Sequence, residues 1–114
     1  MFTWKDLKHI DRGYFRVISA GCFGVTLQSR NTLHCWYISS EELGSHRSCK
    51  IYHTHHEGTA MHEHGHGRTI DACMEQIRIH DSYQLAKDAR KRQTARGRRR
   101  HRAIMEADSP TTTF

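Results

Sequence analysis

The sequence predicts an α+β fold: a small antiparallel sheet, made of a three-stranded meander and a His-rich hairpin, with a short N-terminal helix and a C-terminal helix packed on it. Two periodicities carry this reading. Between residues 14 and 39 apolar side chains recur at every second position, as on strands. After residue 69 they recur at every third or fourth, as on one face of a helix. The chain has 114 residues, of which 36% are hydrophobic, enough for one small core. The expected organisation is a compact body over residues 1–85, with the hairpin at 50–66, and a basic extension over 86–114.

Each element has its own justification. Thr3 can cap a first helix, with Asp6 placed to favour its positive N-terminal end. Trp4, Leu7 and Ile10 would share one side of it, and Gly13 would end the segment. Three alternating runs follow, at 14–20, 23–30 and 32–39. Phe23, Val25 and Leu27 point one way in the second run, Thr26, Gln28 and Arg30 the other. In the third, Leu33, Cys35 and Tyr37 oppose His34, Trp36 and Ile38. Gly21 and Asn31 mark the turns of the meander, and 40–48 reads as a loop. Thr69 can cap a helix to about residue 85, with Ile70, Cys73, Met74 and Ile77 as its apolar stripe. Beyond it the helix turns basic, Gly97 weakens it, and residues 109–114 read as a frayed end.

Six histidines fall between His53 and His66, a density that ordinary composition does not produce. With Gly58-Thr59 as a two-residue type II′ turn, His55 faces His62 and His53 faces His64. Strand alternation then gathers His53, His55, His62 and His64 on one face. Neutral imidazoles so placed can converge on a metal, with Zn²⁺ first because it suits them and needs no redox role. Cys49, His66, Cys73 and His80 are candidate outside ligands. A structural ion makes sense here, because a small body with few apolar side chains gains most from a staple. The four cysteines form no CxxC pair, and at least three are expected to be buried, reduced and apolar in behaviour.

The formal charge of +6 is unevenly spread. Residues 1–85 hold nine Lys or Arg and nine Asp or Glu, so the excess lies entirely in the extension. Its cations are Lys87, Arg90, Lys91, Arg92, Arg96, Arg98, Arg99, Arg100 and Arg102. Arginine pairs phosphate oxygens through a planar fork, so nucleic acid, RNA or DNA, or a nucleoprotein complex is the expected partner. The stretch 94–102 resembles the arginine-rich RNA-binding peptides of viral regulators, a resemblance that implies an RNA target. The order helix, three strands, helix is similar to that of double-stranded RNA-binding domains. The extra hairpin departs from it, and no matching basic motif opens the second helix.

The longest apolar run, at 35–38, is far short of a membrane span of roughly 20 residues. Lys5, Asp6 and Lys8 interrupt where a secretory signal needs its apolar stretch, so a cytoplasmic location is expected. No HExxH, phosphate loop or deaminase-type zinc signature occurs, and no catalytic residue is assigned. The leading expectation is a zinc-stapled, non-enzymatic protein that binds nucleic acid by occupancy. Two rivals stand beside it. One is a phage-type anti-defence inhibitor, similar in size and niche to anti-CRISPR proteins, acting by protein–protein contact. The other is a histidine–metal nuclease with Glu57, Glu63 or Asp81 as base.

Overall fold

A computed structural model describes residues 1–43 and 46–108, with the side chains of residues 43, 46 and 103–108 left aside. One antiparallel sheet runs in chain order: β1 (Phe15–Ala20), β2 (Gly24–Ser29), β3 (Cys35–Leu43), β4 (His46–Thr54) and β5 (His62–Gly67). Helix α1 (Trp4–Lys8) precedes it and α2 (Ile70–Asp108) follows it. The fold is therefore α+β with one five-stranded sheet, as the two periodicities imply. Two compact units divide the chain, Met1–Ser82 and Tyr83–Phe114.

The register explains the core. One cross-strand row reads Val17, Leu27, Trp36, His53, His62, and the row beside it reads Val25, Ile38, Ile51, Gly65. The first row changes from aliphatic to imidazole as it crosses the sheet. Ile70, Cys73, Met74 and Ile77 of α2 pack with Phe2, Ile10, Phe15 and the sheet residues Val25, Leu27, Trp36, Ile38 and Ile51 in a single core cluster. Burying an aliphatic or aromatic side chain of this size contributes about 1.5–3 kcal/mol. At Gly67 the helix comes so close that an added Cβ would lie 3.1 Å from Cys73 Sγ and 3.2 Å from Ala72 Cβ.

The connection from β2 to β3 is tightly specified. The Leu33 N–H donates to Ser29 O at 2.9 Å and the Ser29 N–H to His34 O at 3.0 Å. Leu33 itself takes a φ of 63°, unusual for a residue with a side chain. That kink delivers His34 to the start of β3, on the same face as Trp36.

Several expectations are corrected. Residues 40–43 and 46–48 are strand, not loop: Ser40 pairs Cys49, Glu41 pairs Ser48 and Glu42 pairs Arg47. Their polar sequence hides a two-stranded extension held by ladder bonds and by an ion pair from Lys50 to Glu41 at 3.6 Å. Thr3 and Asp6 form a capping box as their spacing suggests, but α1 stops at Lys8, and Trp4 is 72% exposed. Phe2 takes the buried place instead. Helix α2 continues through Gly97 to Asp108. The frayed end expected at 109–114 lies outside the described residues, as do residues 44–45.

The hairpin register differs most. His53 faces His62, not His64. The chain turns at His56–Thr59, where the Thr59 N–H donates to His56 O at 3.3 Å. Gly58, with φ of 82°, occupies the third turn position that type II geometry reserves for glycine, not the first position of a type II′ turn. The longer loop shifts the pairing, and a bulge beside Ile51 and Tyr52 shifts it again.

Candidate metal centre and basic helix

The centre of the site is a trio of imidazoles from three segments. His34 comes from the β2–β3 turn, His53 from β4 and His80 from α2, and their ligand-capable nitrogens lie within 4.8 Å of one another. His53 Nε2 is 3.0 Å from His34 Nδ1, so one nitrogen carries the shared proton. Tetrahedral zinc holds nitrogens about 3.3 Å apart, so small side-chain shifts suffice. The three residues can therefore hold a metal ion.

Burial makes these rings fit for ligation. His53 is 3% exposed and lies under Trp36, ring centres 4.1 Å apart. Burial, reinforced by His80, His34, His55 and His64, pushes its pKa down to about 3. Partial desolvation among neighbouring rings lowers His80 and His64 as well, aided by the nearby histidines. Neutral imidazole keeps the lone pair that a metal needs. In addition, His80 Nδ1 is buried and makes no hydrogen bond, an uncompensated cost in a packed interior.

A buried carboxylate braces the trio. Asp81 accepts from Tyr14 Oη at 2.6 Å and from Thr32 Oγ1 at 3.0 Å. The same Thr32 oxygen accepts the His34 N–H at 3.2 Å. One side chain thus ties the helix bearing His80 to the turn bearing His34. Trp36 is fixed from behind, its Nε1–H donating to Ser29 Oγ at 3.0 Å.

The expected ligands are redistributed. His53 is central, and His80, expected only as an outside ligand, belongs to the trio. His55, His62 and His64 surround His53 at ring-centre separations of 5.1, 5.5 and 5.6 Å, outside the trio. Cys49 and Cys73 lie in the apolar core, where the Cys73 thiol meets Cys49 O at 3.9 Å. Cys73 is two helical turns from His80, about 10 Å along the axis, too far to share an ion with it. His66 is exposed opposite Lys50, on the face away from Ile51, and not beside Cys49 as expected. His34 lies in the meander, apart from the histidine-dense stretch and from the helix that supplies His80, so histidine density gives no sign of it. Its alternation with Trp36 and Ile38 already put it on the core face.

Of the three candidate bases, two are engaged elsewhere and one faces away. Glu57 pairs with Arg16 at 2.9 Å, Glu63 lies opposite Tyr52 away from the His53 face, and Asp81 is the brace. In the second unit, all nine cations from Lys87 to Arg102 are exposed on α2. At about 100° per residue, Lys87, Arg90, Lys91, Arg98 and Arg102 fall along one flank, with Arg92, Arg96, Arg99 and Arg100 along the opposite one. No helix among the described residues is long and apolar enough to cross a membrane. No protein-family model matches the chain, and no curated protein or solved structure matches it.

Proposed function

We propose that this protein is a binding module that engages RNA or DNA, or an assembly containing either, through the basic part of α2. Its action is occupancy: phosphates are neutralised and a site is covered or tethered, with no bond made or broken. The observation that carries the reading is the run of nine exposed cations within residues 87–102 on a continuous helix. Residues 1–82 hold nine acidic and nine basic side chains, so the net field comes from this helix. Two cationic flanks suit a groove bordered by two phosphate backbones. Zinc at His34, His53 and His80 is the fitting ion, since it accepts neutral imidazoles in a compact tetrahedral site. Its role is to hold together a body with a small core.

Fluorescence anisotropy with labelled RNA and DNA duplexes tests this across a salt series. If five cations of one flank bind phosphate, affinity falls roughly 500-fold between 50 and 200 mM salt. Replacing Lys87, Lys91 and Arg98 with Gln should lower both affinity and slope. Salt-independent binding, or affinity unchanged by the triple replacement, would overturn the reading.

A further inference from the structure

We infer that His64 is the fourth ligand of the histidine centre, so that one ion joins the β2–β3 turn, β4, β5 and α2. The inference rests on the zinc reading above and supplies the ligand that closes the site.

Zinc–nitrogen bonds of about 2.0–2.1 Å put the ring centres of tetrahedral imidazole ligands about 5 Å apart. Within the trio the separations are 5.0 Å for His34–His53, 4.8 Å for His53–His80 and 5.8 Å for His34–His80. His64 continues the pattern, 5.0 Å from His80 and 5.6 Å from His53. Its ring stands nearly perpendicular to that of His80, at 88°, so the two ring planes cross. An imidazole binds a metal in its own plane, and crossing planes are therefore a requirement.

The neighbouring histidines fail on that ground or on position. His55 stacks on His34 at 4.4 Å with the rings only 13° from parallel. Planes so nearly parallel share no nearby point for an ion. His62 lies opposite His53 and, among the described ring contacts, meets only that residue.

Backbone geometry explains why His64 is the one presented. Pairing passes from Ile51–Gly65 to Tyr52–Glu63, leaving His64 as the extra residue of a bulge. Bulges re-aim a side chain out of strand alternation, and here the ring stands edge-on to Trp36 at 5.2 Å. His64 is exposed while His34 and His53 are buried. Exposed and in ring contact with both His53 and His80, it is placed to cover the solvent side of an ion, and the buried His80 Nδ1 has no hydrogen bond of its own.

The test uses the full chain, stripped of metal with a chelator and titrated with Co²⁺, then with Zn²⁺ in competition. Wild type should take one ion with the intense visible bands of tetrahedral cobalt. His64→Ala should weaken Zn²⁺ binding on the order of 100-fold and shift the cobalt bands as water replaces a nitrogen. His55→Ala and His62→Ala should change neither. Circular dichroism of the metal-free variants controls for folding, which an exposed edge position should not disturb. Wild-type affinity and spectrum in His64→Ala, or the predicted loss appearing in His55→Ala or His62→Ala instead, overturns the assignment while leaving the zinc reading intact. A wild-type chain that takes up no ion overturns both.

Discussion

Asp81 stands next to His80, fully buried, and its two oxygens accept from Tyr14 and Thr32. Replacing it with Ala leaves the Tyr14 and Thr32 hydroxyl protons without their acceptor, which costs about 1–3 kcal/mol. Urea unfolding of Asp81→Ala should show that loss, and zinc titration should show weaker binding because His34 and His80 lose their common brace. Tyr14 reports on the same bond from the other side. Burial, and then hydrogen bonding to Asp81, raises its pKa to about 12. The folded chain keeps this proton at pH values where the unfolded chain has lost it. The resulting stabilisation is complete below about pH 10 and disappears as pH rises towards 12. A tyrosine phase near pH 12 should appear by ultraviolet absorbance in the wild type and be missing from Tyr14→Phe.

Helix α2 meets two kinds of constraint along its length. Up to Ile77 its apolar stripe is buried in the core, so tertiary packing holds it. Beyond residue 83 like charges stand four apart at Lys87/Lys91, Arg92/Arg96, Arg96/Arg100 and Arg98/Arg102, each pair costing about 0.2–0.5 kcal/mol. Gly97 adds nearly 1 kcal/mol relative to alanine, and a Cβ there would meet nothing within 4 Å. Gly97→Ala should therefore raise helical content by circular dichroism without a packing penalty. The apolar stripe, the cap and the strand alternation were legible because they are local. The hairpin register was not. It depended on whether Gly58 sat first or third in its turn, and on a bulge that no residue type announces. The polar residues 40–43 gave no alternation to read, so their pairing was invisible too.

At the scale of the whole body, the metal reading makes stability depend on an ion. With free zinc about 100-fold above its dissociation constant, binding adds about 2.7 kcal/mol. For a unit of this size that corresponds to roughly 10–20 °C in melting temperature. Chelation should lower the midpoint by that amount and zinc should restore it, as differential scanning calorimetry can measure. The site itself was half legible. Density of histidine pointed to β4 and β5, but the trio draws His34 and His80 from segments 19 and 27 residues away from His53. Only the folded sheet, with α2 across it, makes them neighbours.

The stack of Trp36 on His53 gives the molecule a built-in optical gauge. Of its two tryptophans, Trp4 is largely in water and Trp36 is wholly shielded, so their emission separates by colour. The blue component comes from an indole lying 4.1 Å from the central imidazole, and its brightness follows the electronic state of that ring. Ion capture can thus be watched by fluorescence in the unlabelled wild-type chain.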